Sequence, residues 1–137
     1  MRFPLNKDGS IDEEQTLKMF DIALKNGINY IDTAYPYHNG LSEPFVGKAL
    51  KKYDRNSFYL ATKMPIWAID SKEKALEIFN GQLEKLQTDY VDFYLLHAMN
   101  KNRAAETENY GGYGVSIGIS GSTTYDFSDL TPVTPAA

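Results

Sequence analysis

Residues 28–38 read INYIDTAYPYH, and the rest of the chain is organised around this stretch. Asp32 ends a short apolar run, and Tyr37 follows five residues later, after a proline. Proline has no N–H group for a sheet ladder, so the pattern predicts a strand that gives way to a loop. Two later runs end in the same way, because Lys63 closes FYLATK and His97 closes YVDFYLLH.

Helical patterns separate these strand-like runs. Ser10 and Glu13 have the spacing of a capping box, and the apolar stripe that follows them stops at Asn26 and Gly27. Ser42 starts a second apolar helical face, and Ser71 starts a third. We therefore expect strands over 28–34, 57–64 and 90–96, and helices over about 10–25, from about 42, and over 71–87.

This alternation predicts an α/β fold with a parallel sheet, because parallel neighbours need a crossover connection that is usually a helix. Lys63 follows Asp32 by 31 residues, and His97 follows Lys63 by 34, which is about one βα unit each time. In parallel α/β folds, functional sites lie at the carboxyl ends of the strands. Asp32, Tyr37, Lys63 and His97 are therefore expected to meet at one edge of the sheet.

The composition changes after His97. Residues 100–109 are polar, and five glycines lie among Ser, Thr and Tyr between positions 111 and 121. We expect an ordered part over 1–99 and an irregular Gly/Ser/Thr-rich tail over 100–137. The alternating apolar residues of 113–119 could add one strand to that tail.

Charge and cysteine content exclude several classes of function. The net charge is −4 and the isoelectric point is near 5.1, so no basic footprint for nucleic acid or an anionic membrane is present. Without cysteine there can be no disulfide and no thiolate metal site. No apolar run approaches the roughly 20 residues of a membrane span. We expect a soluble cytoplasmic protein that binds neither nucleic acid nor a membrane.

The four residues suggest acid–base chemistry on a carbonyl. A phenol has a reference pKa of about 10, so a tyrosine that donates a proton needs a neighbouring cation. Lys63 would stabilise the phenolate that forms as Tyr37 loses its proton, and Asp32 would orient the lysine. His97 would hydrogen-bond to a substrate oxygen. The group would polarise a carbonyl and protonate its oxygen while a cofactor supplies hydride to the carbon.

Structural interpretations of the same residues stay open. An Asp–Lys pair at strand ends often serves stability alone, and a histidine after an apolar run is often a satisfied loop residue. Tyr37 is one of 10 tyrosines. With two histidines in the chain, no HExxH metal motif exists, and His38 is expected to be a loop residue at the surface.

At these positions the chain resembles the aldo/keto reductase family. The motifs that carry the resemblance are DTAYPY, ATK and YLLH, within similarity that runs over residues 1–99. The opening segments MRFPL and DGSID are similar to a bacterial and archaeal branch whose longer members carry a C-terminal ferredoxin-like segment, for which no cysteine is present here.

The resemblance implies a (β/α)8 barrel, NADPH as hydride donor and a small carbonyl substrate. It also implies a catalytic tetrad of Asp32, Tyr37, Lys63 and His97, in which Tyr37 is the proton donor and His97 orients the carbonyl. Lys63 supports Tyr37, and Asp32 pairs with Lys63. Asp32 and Lys63 would also face the nicotinamide end of the cofactor.

Such a barrel takes roughly 250 residues, and this chain has 137. We therefore expect a partial TIM barrel of about four βα units, in which the segments that grip the cofactor's adenosine phosphate are missing. The competing expectation is a truncated or recombined half-barrel without activity, which self-associates as a homo-oligomer through its open strand edges.

Overall fold

A computed structural model describes residues 2–100, 103, 117–119 and 123–125. In that part of the chain, three α-helices alternate with the strands of a parallel sheet. The helices are α1 (Glu13–Lys25), α2 (Ser42–Leu50) and α3 (Lys72–Leu86). The strands of the sheet are β1 (Tyr30–Asp32), β2 (Tyr59–Met64) and β3 (Phe93–Leu96).

The sheet has the order β1-β2-β3, and both pairings are parallel. Asp32 pairs with Ala61, and Lys63 pairs with Leu95, so the strands end at one edge of the sheet. Each crossover contains a helix, as the alternating sequence pattern predicts. The α/β class is therefore confirmed, with three strands in the described sheet of the expected partial barrel.

The helix ends have local causes. The Asp12 side chain accepts a hydrogen bond from the Gln15 amide and caps α1, and the Ser71 side chain accepts from the Lys74 amide and caps α3. Ser10 is not the cap that the sequence predicts, because its hydroxyl donates to Asp8 in the preceding turn, at 2.7 Å. Helix α3 ends at Leu86, and the capping residue that follows, Gln87, has a left-handed φ of 55°.

The opening segment does not form the first strand of a βα unit. Leu5 makes only an isolated antiparallel bridge with Ile11. The amide of Asp12 donates to the carbonyl of Pro4 at 2.9 Å, which folds the segment back on itself. Pro4 cannot donate to a ladder, which favours this turn over a strand.

The core lies between one face of the sheet and the helices. Helix α2 packs so closely on α3 that Gly47 faces the backbone of Lys85 and Leu86. The buried apolar side chains of this cluster are Phe3, Ile11, Phe20, Ile31, Phe45, Val46, Ala49, Leu50, Phe58, Leu60, Phe79, Leu86 and Val91.

A separate antiparallel pair joins β4 (Ile117–Ile119) and β5 (Thr123–Tyr125). Strand β4 lies within the range 113–119 in which the sequence could form an extra strand. Residues 113–116 lie outside the described part, as does most of the predicted irregular tail over 100–137. No helix in the described ranges is long and apolar enough to cross a bilayer.

Candidate functional site

The carboxyl edge of the sheet gathers the four residues that the sequence singled out. Asp32 is the last residue of β1, Lys63 is the penultimate residue of β2, and His97 directly follows β3. Tyr37 opens the 3-10 turn Tyr37–Gly40, which follows β1. The parallel register brings the three strand ends together, and the turn carries the tyrosine back toward them.

The Lys63 ammonium lies at the centre of the site. It donates to Asp32 Oδ1 at 2.8 Å, to the Thr33 carbonyl at 2.8 Å and to the Tyr37 hydroxyl oxygen at 3.2 Å. An ammonium has three protons and no acceptor, so these three contacts satisfy it. The Lys63 side chain is 14% exposed and that of Asp32 is 34% exposed, which weakens solvent screening of the pair.

Because Lys63 can only donate, the Tyr37 oxygen accepts in their contact. The phenolic proton of Tyr37 then remains available to another acceptor. The ammonium also lies 4.7 Å from the centre of the Tyr37 ring, which adds a cation–π contact. The positive charge is thus close to the oxygen on which negative charge would develop.

His97 contacts Tyr37 through its ring. The ring centres are 5.6 Å apart and meet edge to face. The backbone amide of His97 donates to the Met64 carbonyl at 3.0 Å, which extends the β2–β3 pairing past the strand end. Its Nδ1 is buried and has no hydrogen-bond partner within the described residues.

The surroundings of His97 favour its neutral form. Burial lowers the pKa of His97, the nearby Lys63 charge lowers it further, and Asp32 opposes both effects. A neutral imidazole has one N–H donor and one acceptor nitrogen. It can therefore hydrogen-bond to a carbonyl oxygen without adding a second full positive charge beside Lys63.

The turn that carries Tyr37 is held by a contact that the sequence did not predict. His38 and Asn39 have φ values of 52° and 55°. The His38 ring stacks on Phe3 at 5.1 Å, and its Nε2 accepts the Phe3 amide hydrogen at 3.0 Å. His38 is half-buried rather than a surface residue, because it closes the turn over the N-terminal segment.

Sequence reasoning also missed Trp67 and Glu43. Trp67 lies in a short 3-10 turn after β2, and its ring centre is 5.1 Å from that of His97. It is the single tryptophan of the chain and follows Lys63 by four residues, which was the available signal. Glu43 is fully buried behind β2, and a charged residue on the apolar face of a predicted helix could have pointed to it.

Comparison with known proteins gives a consistent result. The model of the aldo/keto reductase family matches residues 1–110. The aldo-keto reductase YhdN of Bacillus subtilis is 38% identical over 97 residues, which cover 65% of this chain and 29% of that protein. The chain thus spans about a third of the length of the curated relatives that it matches.

Solved structures agree with these relatives. The holo form of the aldo-keto reductase AKR11C1 from Bacillus halodurans is 40% identical with a TM-score of 0.54, covering 73% of this chain and 36% of that one. An aldo/keto reductase from Klebsiella pneumoniae in complex with NADP and acetate is 27% identical with a TM-score of 0.59, covering 76% and 36%. On the strength of the family match over 110 of its 137 residues, the chain belongs to the aldo/keto reductase family.

Proposed function

We propose that this chain carries the proton-transfer site of an NADPH-dependent carbonyl reductase, in which Tyr37 is the proton donor. The observation that carries the proposal is the position of the Lys63 ammonium, 2.8 Å from Asp32 and 3.2 Å from the Tyr37 oxygen. Family membership supports an oxidoreductase. The small carbonyl substrate and the cofactor are part of the proposal.

In the proposed reaction, Tyr37 gives its proton to the carbonyl oxygen as that oxygen becomes negative. Lys63 stabilises the phenolate left behind, since a cation next to a phenol favours its ionised form. Asp32 holds the ammonium in place from the end of β1. Neutral His97 donates a hydrogen bond that orients the carbonyl beside Tyr37.

The residues at the strand ends fit the nicotinamide end of the cofactor. Asp32 is one-third exposed beside Lys63, and its carboxylate can accept a hydrogen bond from the amide group of a carboxamide. NADPH, when bound, supplies the hydride that reduces the carbonyl carbon. The absence of cysteine is compatible with a reducing compartment, and we place the proposed activity in the cytoplasm.

A titration followed by tryptophan fluorescence tests cofactor binding. Trp67 is the single tryptophan and lies beside His97, so its emission reports on this site alone. We expect NADPH to change the emission saturably. NADPH also absorbs light and lowers the emission without binding. This loss is measured with the Trp67→Phe variant in the presence of a free tryptophan analogue, and it is subtracted. A strictly linear response up to millimolar NADPH would remove the cofactor from the proposal.

The exposed face of the sheet favours a second candidate, which is self-association without activity. Tyr30, Tyr59, Phe93 and Leu95 are each between 41% and 51% exposed on the face opposite the helices. Phe93 contacts Tyr30 and Tyr59 at ring distances of 5.3 and 6.1 Å, so the patch is contiguous. In the described sheet, β1 and β3 each pair with β2 alone. Contiguous apolar patches and open edges both favour association with a second copy.

Size-exclusion chromatography with light scattering tests this candidate. If the sheet face joins two copies, the chain elutes as a dimer and Tyr59→Lys converts it to a monomer, because a charge is placed in the patch. Leu76→Lys is the matched control, since Leu76 is 43% exposed on α3. A single monomeric mass at all concentrations, together with reductase turnover, would reject the second candidate.

A further inference from the structure

A buried polar cluster lies on the helix side of β2, directly behind the site. Glu43 of α2 is fully buried, as are Thr62 of β2 and Gln82 of α3. Glu43 Oε1 accepts from the Thr62 hydroxyl at 2.7 Å and from Gln82 Nε2 at 2.6 Å. Three elements that frame the site therefore meet at one carboxylate oxygen.

The cluster reaches Lys63 through its backbone. Gln82 Nε2 also donates to the Lys63 carbonyl at 3.1 Å, and Gln82 Oε1 accepts from the Tyr94 hydroxyl at 2.7 Å. The amide oxygen is thus paired with the Tyr94 hydroxyl. The amide nitrogen also lies 3.3 Å from Thr62 Oγ1, so three acceptors surround its two protons. The Lys63 carbonyl fixes the orientation of the amide, because a carbonyl can only accept and must therefore face Nε2.

Neighbouring residues in a strand face opposite sides, so Thr62 faces the helices while Lys63 reaches into the site. Gln82 holds the peptide from which the Lys63 side chain extends. A shift of this peptide would be passed to the ammonium, whose contact with Tyr37 is the longest of its three hydrogen bonds. The distance between the Lys63 ammonium and the Tyr37 hydroxyl thus depends on the Gln82 amide, which lies on the other side of the sheet.

The carboxyl itself is in a costly environment. Burial raises the pKa of Glu43, while hydrogen bonds from Thr62 and Gln82 and the Lys85 charge act against that rise. Its second oxygen, Oε2, is buried without a hydrogen-bond partner in the described chain, and Lys85 Nζ lies 3.9 Å away. The contacts of Oε2 offset little of the free-energy cost of burying the carboxylate, so stability alone does not explain a glutamate at this position.

We propose that Glu43 is a positioning residue for Lys63, which acts by orienting the Gln82 amide that holds the Lys63 carbonyl. The proposal rests on the proposed function for its catalytic consequence. Its structural content, the coupling from Glu43 through Gln82 to Lys63, is independent of turnover.

Nuclear magnetic resonance of the full chain tests the coupling. Glu43→Gln removes the carboxylate at nearly constant shape, and Gln82→Met removes the amide. We expect each variant to move the carbonyl ¹³C and side-chain signals of Lys63, and the double variant to move them no further than either single change. Such non-additivity is the mark of groups that act in one chain. Glu84→Gln, which removes an exposed carboxylate from α3, should leave the signals in place.

Unmoved Lys63 signals in Glu43→Gln, or shifts that add in the double variant, would overturn the proposal. If Glu43→Gln does not fold, Glu43→Asp provides the same comparison, because it keeps the charge but withdraws the carboxylate from Gln82. In an active chain, Glu43→Gln should lower kcat about tenfold with KM for the carbonyl unchanged, since small misplacements of catalytic groups are costly. Absence of reductase turnover in the parent chain would reject the proposed function. The shifts of the Lys63 signals would still decide whether Glu43 positions Lys63.

Discussion

Replacement of Tyr37 by Phe is expected to lower kcat for carbonyl reduction by about 10²- to 10⁴-fold, the usual contribution of a positioned general acid. Phenylalanine keeps the ring that meets His97 edge to face and removes only the hydroxyl near Lys63. The affinity for NADPH in the fluorescence titration should change little. The measurement is steady-state reduction of a small aldehyde, followed by loss of NADPH absorbance.

Tyr59→Phe is the matched control for this variant. Tyr59 is half exposed near the amino end of β2 and contacts Phe93, away from the Lys63 ammonium. Its loss of a hydroxyl should leave kcat unchanged. Turnover of Tyr37→Phe within a factor of ten of the parent would contradict the assignment of Tyr37 as proton donor. Turnover equally absent from both variants and the parent would favour the self-associating, inactive alternative.

The largest expected effect on stability comes from Gly47→Ala. A Cβ at this position would lie 2.5 Å from the Lys85 carbonyl oxygen and 2.6 Å from the Leu86 carbonyl carbon. Both are backbone atoms of α3, so relief requires α2 and α3 to move apart. We expect a loss of about 3 kcal/mol in the free energy of unfolding, the upper range for an overpacked core. Denaturation in urea, followed by circular dichroism, measures it.

Gly81→Ala, also a glycine-to-alanine change within a helix, is expected to raise the free energy of unfolding. Gly81 lies within α3, and a Cβ there would meet nothing within 4 Å. Alanine should stabilise the chain by roughly 0.5–1 kcal/mol, because it is the better helix former. If the two substitutions changed the free energy of unfolding equally, Gly47 would not be required for the close packing of α2 on α3.

The variants at Tyr37 and Gly47 test two different parts of the molecule. Tyr37, Lys63 and His97 lie at the carboxyl edge of the sheet, where the proposed chemistry takes place. Gly47 lies between the helices behind the sheet, where packing sets the distance between α2 and α3. Glu43 and Gln82 span the gap, because they join those same helices to the Lys63 backbone. Loss of helix packing is therefore expected to reach the site through this cluster.

Local chemistry explains why much of the fold could be predicted from the sequence. The alternation of strand and helix patterns established a parallel sheet, and the spacing of Asp32, Lys63 and His97 placed them at its carboxyl edge. The start of α3 followed from Ser71, whose side chain caps it, whereas α1 is capped by Asp12 rather than by the predicted Ser10. These features depend on neighbours within a few residues or on one repeated unit, which a sequence displays directly.

The remaining features depend on residues that meet only after folding. The opening segment around Pro4 forms no strand, and its Leu5 makes an isolated bridge with Ile11. The His38 ring stacks on Phe3 instead of lying at the surface. The sequence alone determined which residues the strand ends carry. Only the tertiary structure decided that Lys63 donates to Tyr37 and that Glu43 lies buried behind it, because those contacts cross 19 to 39 residues and follow from how the helices pack on the sheet.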